Sequence, residues 1–140
     1  MRKPKPEHLP FYLGEKCPYC SRDAKLVDSH VVYGTSFGKI MYCQPCHAWV
    51  GVHKHSEVPL GRLAKYELRE AKKLAHKHFD PLWRNKEVFQ SRSSAYKWLS
   101  KALNIHPEFT HIGMFNVATC LEVVRLCEAL VNVGKVIQTL

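Results

Sequence analysis

Cys17-Pro18-Tyr19-Cys20 and Cys43-Gln44-Pro45-Cys46 are the stretches that decide how this chain folds. Each C-x-x-C can close a tight turn that points two sulfurs at one ion. The 22 residues between Cys20 and Cys43 are enough for a hairpin that brings the two turns together. Four sulfurs so gathered form a tetrahedral set, which suits zinc because it takes soft ligands and imposes no ligand-field geometry. A redox pair would need only one C-x-x-C and a βαβ setting, which the flanking sequence lacks. The expectation is one structural Zn²⁺ on Cys17, Cys20, Cys43 and Cys46, closed to water and therefore not catalytic. A Cys₃His set that recruits His47 is the alternative. Four thiolates around Zn²⁺ carry −2, which takes the chain's formal +9 to +7.

Outward from the cysteines, Lys25–Tyr33 and Lys39–Cys43 are rich in β-branched and aromatic residues and flank Gly34-Thr35-Ser36-Phe37-Gly38. That pattern predicts a hairpin with a five-residue loop, and Ala48–His53 predicts a third strand. Beyond Pro59 the apolar period becomes helical. Leu63, Leu68, Ala71, Leu74, Ala75 and Phe79 mark a helix from about Leu60 to Phe79, stopped by Asp80-Pro81. Ala95, Trp98, Leu99 and Ala102 mark a second over Ser93–Leu103. Asn116 reads as the N-cap of a third, with Cys120, Leu121, Val124, Leu130 and Val131 apolar. Cys120 and Cys127 lie seven apart on that helix and read as small core residues. Ile112, Met114 and Phe115 read as core that docks the third helix, the alternative being an exposed partner loop. The predicted fold is α+β. A flexible basic arm over 1–16, broken by Pro4, Pro6 and Pro10, precedes a small zinc-ribbon-like antiparallel β subdomain over 17–56. About three α-helices over 57–140 pack on it as one folding unit.

At 140 residues, 46% hydrophobic and 24% charged, the composition is that of a globular chain able to bury a core. The basic, Pro-rich N-terminus has no apolar signal region. Val117–Leu140 is interrupted by Glu122, Arg125 and Glu128, against a membrane span. No 20–50-residue repeat and no phosphate-cradling glycine motif occurs, so neither a solenoid nor a nucleotide cofactor is expected. A cytoplasmic, reducing setting follows as an expectation, with the cysteines as ligands or core rather than disulfides.

The excess of 21 Lys+Arg over 12 Asp+Glu favours an anionic partner, nucleic acid first. Arg62, Lys65, Arg69, Lys72, Lys73 and His76 recur at three- and four-residue spacings, one helix face that matches a phosphate backbone. A solvated face is the simpler use of the same pattern. Tyr19, Tyr33, Phe37, Tyr42 and Trp49 could stack bases, although a ribbon's small core would also absorb them. An HNH-like metal-dependent nuclease is a further alternative, with His30 of Asp28-Ser29-His30 as general base and His47 or His53 on the metal. Against it, the usual Asn is missing, a strand follows Cys46 where a helix is needed, and Asp28 and His30 alternate as on a strand's solvent face.

CPYC, LVDSHVVYG, CQPCHAWVGVHK, PLGRLA, AHKHFDPLW, AYKWL and HIGMF follow one another from Cys17 to about Leu126. In that order they resemble bacterial and phage proteins grouped as a zinc-finger-containing domain of unknown function. The resemblance implies that Cys17, Cys20, Cys43 and Cys46 are the zinc ligands, and it brings no established activity. His47 departs from the small or acidic residue expected there, which takes it out of a shared ligand set. The family's occurrence in phages and mobile elements implies a competing role, binding a host or defence protein through the basic surface.

Overall fold

Alternation in the short strands sets the sheet. In Ala48–Gly51, burial switches residue by residue, the signature of a strand with one face on a core. The computed structural model describes residues 1–86 and 88–139. In it, β1 (Lys25–Asp28), β2 (Lys39–Cys43) and β3 (Ala48–Gly51) form an antiparallel sheet in the order β1-β2-β3. The register puts Leu26 opposite Met41, Met41 opposite Val50, and Tyr42 opposite Trp49. One face closes over a small core of Cys17, Cys43, Ala48, Val50 and Leu63.

The hairpin connection is longer than the expected five-residue loop. β1 ends at Asp28 because that carboxylate accepts the backbone N–H of His30 at 2.8 Å and the Ser36 hydroxyl at 2.8 Å. These bonds reward a turn over a further strand residue, and one helical turn, α2 (His30–Tyr33), follows. Gly34 closes it in the left-handed region, φ 75°. Buried Ser29 anchors the return, accepting the Phe37 N–H on its hydroxyl at 2.7 Å. His30 therefore begins a helical turn and does not alternate with Asp28 on a strand.

The first long helix also starts later than its apolar period suggests. Residues 60–64 run beside β3 with a bend at Gly61 and Arg62: the Leu60 N–H donates to the Gly51 carbonyl at 2.9 Å, and Trp49 and Ala64 exchange bonds of 2.9 and 3.1 Å. Gly61 is needed here for close approach. A Cβ on it would lie 2.2 Å from the Gly113 carbonyl oxygen, the group that accepts the Arg62 N–H at 2.9 Å. The helix, α3 (Tyr66–Arg84), then runs through Asp80-Pro81 instead of stopping there. Pro81 forfeits one helical N–H. The helix continues because Phe79 and Leu82 on either side of Pro81 are buried, and the Asp80 carboxylate accepts from Trp83 Nε1 at 3.3 Å.

α4 (Arg92–Leu103) matches the second expected helix, and a capping box of Ser91 and Ser94 fixes its start. Asn116 caps α5 (Val117–Thr139), its side-chain oxygen accepting the Thr119 N–H at 2.9 Å. The face that α5 buries is Cys120, Val123 and Cys127, while Leu121 is 48% exposed. Those three share one cluster with Ala71, Ala75 and Phe79 of α3, Leu99 of α4, and Ile112 and Phe115. Small residues on both helices let α3 and α5 lie close, so Leu121 and Val131 of the expected stripe turn outward.

Residues 1–16, expected as a flexible basic arm, carry short turns and backbone bonds to the rest of the chain. Pro6 and Pro10 stand in first turns, where a missing N–H is harmless, of a 3₁₀ turn (Pro6–His8) and α1 (Leu9–Tyr12). Arg2 donates its N–H to the Asn104 carbonyl at 3.0 Å and its guanidinium to the Leu103 carbonyl at 2.8 Å. Its own carbonyl accepts the His106 N–H at 2.8 Å. Among the described residues, no helix is long and apolar enough to cross a membrane.

Phe115 is 2% exposed in the helical core. Phe115→Ala should therefore lower unfolding stability by about 3–5 kcal/mol, read from denaturant titration. A loss below ~1 kcal/mol would mean that HIGMF is a surface loop.

Candidate metal centre

Each cysteine pair is held by a turn whose backbone bonds follow from the sequence. In the first, the Ser21 N–H donates to the Cys17 carbonyl and the Cys17 N–H to the Arg22 carbonyl, both at 2.8 Å. In the second, which follows directly from β2, the His47 N–H donates to the Gln44 carbonyl at 3.1 Å. The residue after each second cysteine, Ser21 or His47, has positive φ (65° and 51°). Leaving a C-x-x-C turn back towards the sheet requires that conformation at a non-glycine residue, so local strain is being held in place by the site.

The four sulfurs all lie within 4.8 Å of one another, and Cys20 Sγ and Cys43 Sγ are 3.5 Å apart. Zinc–thiolate bonds of about 2.3 Å in a tetrahedron put sulfurs roughly 3.8 Å apart, so the set has the right size for the ion. All six cysteines are free thiols, which the site needs. Left to themselves the four could not all ionise. A bond from the Arg22 backbone N–H brings Cys20 down to about 6, whereas burial pushes Cys17 up to about 12 and raises Cys46. A divalent cation resolves this conflict by favouring every thiolate at once. The centre is closed and buried at Cys17 and Cys43, so one zinc here is structural.

Histidine stays outside it. His47 Nδ1 pairs with the Tyr42 hydroxyl at 3.0 Å, and the His47 ring packs on Trp49 with centroids 5.2 Å apart. His30 Nδ1 pairs with Asp28 at 2.8 Å. The His30 N–H, the Ser36 hydroxyl and the His30 ring hold that carboxyl at about 2. Among the described residues, the four cysteines form the one group of three or more such side chains close enough to share a metal, so His30, His47 and His53 are not assembled into a second.

The basic row expected on one helix face is redirected inward. Arg62 is not helical: it stands in the lead-in to α3, its guanidinium 4.6 Å from the Tyr12 ring centroid and its Nε donating to the Met114 carbonyl at 3.0 Å. The Lys72 ammonium turns inward to donate to the Arg62 carbonyl at 2.7 Å, and burial brings it down to about 8. Arg69 lies 3.6 Å over Trp49 and donates to the Ala64 carbonyl at 2.6 Å. Lys65 stands over Tyr19 at 4.7 Å, and Lys73 pairs with Glu70 at 3.2 Å. Burial and these partners divide the row, so Arg62 and Lys72 do not share an open path with Lys65 and Lys73.

The aromatics moved the other way. Phe37 is 76% and Tyr33 55% exposed. They join Trp49, His47 and Tyr42 in a chain of edge-on rings, with centroid spacings of 5.2 to 6.1 Å. Tyr42 and Trp49 are cross-strand partners, so the chain lies on the sheet face away from the small core. A ribbon core this small is filled by Cys, Ala, Val and Leu, and the large rings are excluded from it.

A family model described as a zinc-finger-containing domain matches residues 14–130. The chain belongs to that family. No curated protein and no solved structure matches it.

Metal analysis should find one zinc per chain. Cys43→Ser should abolish binding and collapse the 17–56 region, seen as lost ellipticity and early melting, because metal binding and folding are coupled here. Since zinc needs all four sulfurs deprotonated, acidification should release it, with affinity rising as pH rises. A metal-free preparation with unchanged melting would refute the structural role.

Proposed function

We propose that this member of the zinc-finger-containing family binds unpaired nucleic acid on the outer face of its zinc-stabilised sheet and performs no chemistry on it. The observation that carries the reading is the ring chain Phe37–Tyr33–Trp49–His47–Tyr42, exposed at Phe37, Tyr33 and His47 and half-buried at Trp49 and Tyr42, with Arg69 over Trp49 and Lys65 over the nearby ribbon ring Tyr19. Water-exposed aromatic edges and faces are costly unless something stacks on them, and every base offers a flat partner. Arg69 keeps its charge while stacked on Trp49, so phosphates passing the platform would meet a fixed cation. The chain's overall positive charge would draw a polyanion in from a distance.

The contact set differs from a basic helix face. Lys72 and Arg62 brace the lead-in to α3, and their replacement would damage the fold before it reported on binding. Phe37, Tyr33 and Lys65 are the exposed groups that contribute.

Fluorescence anisotropy with labelled 12-nucleotide oligo-dT and oligo-U, each beside a duplex of equal length, tests this. Single strands should bind more tightly than duplex, with a salt slope of about 0.7 per phosphate contact. Phe37→Ala should cost about 1–3 kcal/mol of binding while melting stays unchanged. Equal affinity for duplex, or indifference to Phe37→Ala, would overturn the reading. A nuclease-resistant complex lost in Phe37→Ala would instead assign the face to a host or defence protein.

A further inference from the structure

A second recessed surface lies apart from the ring chain. Residues 57–61, the start of α4 and the 111–114 segment enclose a cavity of about 1050 Å³ against α3. None of the five edge-on rings lines it. Leu13, Val50, Leu60, Ile112 and Met114 give it an apolar lining. Its size falls at the upper end for small-molecule sites, roughly 300–1,000 Å³.

Its charged groups are unbalanced. Lys72, Lys73 and His76 line it from α3, Arg92 from α4, and His53 and His111 from the two neighbouring segments, against Glu15 and Glu57. Lys73 and His76 have acidic partners on their own helix, Glu70 and Asp80. Among the described residues, Arg92 and Lys72 have none. The Arg92 guanidinium stacks 4.7 Å from the Tyr96 ring, which lies 5.8 Å from the His111 ring. Partial burial, then Arg92 and His53, lower His111, so it offers an anion a neutral N–H donor while Arg92 supplies the charge.

We propose that this cavity binds a small amphipathic organic anion, its carboxylate, phosphate or sulfonate against Arg92 and His111 and its apolar body along Leu13, Val58, Leu60 and Met114. The pairing of features selects the class. An inorganic anion would leave the apolar lining wet, and a neutral hydrophobe would forgo the charge-assisted hydrogen bonds that Arg92 offers. Arg92's planar fork suits a two-oxygen head group.

The test uses the zinc-loaded full chain and 8-anilinonaphthalene-1-sulfonate as a fluorescent probe. Saturable binding should be displaced by decanoate and not by decanol. Arg92 and His111 are both exposed, so Arg92→Gln and His111→Asn should leave melting unchanged. Each should weaken probe binding, Arg92→Gln by on the order of tenfold. Phe37→Ala should bind the probe as the parent does, which separates this site from the sheet face. Absence of saturable binding, displacement by decanol as effective as by decanoate, or full affinity in both cavity variants would overturn the proposal.

Discussion

Four sulfurs that must meet at one point constrain the whole N-terminal half. The core beneath the sheet comprises Cys17, Cys43, Ala48, Val50 and Leu63, too little apolar surface to hold three strands of four or five residues. The zinc centre replaces that missing burial with four metal–ligand bonds and closes the loop between residues 17 and 46. Because two of the five core residues are themselves ligands, the metal and the core are one object. The strained backbone at Ser21 and His47 is tolerated for the same reason.

The sheet in turn determines how the helices begin. Residues 60–64 pair with β3 before α3 starts, and Leu63 enters the zinc-side core while the following Ala64 joins the helical one. One short segment thus fastens the two halves together. Its own polar groups are satisfied by long basic side chains: Lys72 caps the Arg62 carbonyl, Arg69 the Ala64 carbonyl, and Arg62 reaches the Met114 carbonyl. The Ala64 carbonyl also takes the Trp49 backbone N–H, so Arg69 is its second donor, and a cation on a flexible stem can approach such carbonyls from outside the ladder.

That explains what the sequence made legible. The metal ligands were readable because C-x-x-C is a local geometry, complete within four residues. The cap Asn116 was readable because it acts within one turn; the Ser91 capping box is as local but was not read, and it starts α4 one residue earlier than periodicity did. The start of α3 was not readable, because it depends on Gly61 meeting Gly113 across the fold. Extending the helix period back to Leu60 put Arg62 on a helix and aligned it with Lys65, Arg69 and Lys72 as an open row. Pro81 misled in the same way, since a proline's local cost was outweighed by the burial of Phe79 and Leu82 around it.

Turning the basic row inward does not spend its charge. A guanidinium stacked on Trp49 or Tyr12 has no anion beside it and still contributes its positive charge to the field outside, and the Lys72 ammonium contributes most of its charge near neutral pH. Among the described residues the ion pairs with Arg or Lys are Lys16–Asp23, Lys73–Glu70 and Arg125–Glu122, and none involves Arg62, Arg69 or Lys72. Structural anchoring and long-range attraction are therefore compatible uses of the same side chains. What anchoring removes is their freedom to follow a phosphate path, and that leaves contact to the exposed groups. On the sheet these are rings with cations beside them, suited to flat partners; around the cavity they are cations beside an apolar lining. One basic chain can present both surfaces because its charge acts at a distance while its contacts are decided by which side chains the fold leaves outside.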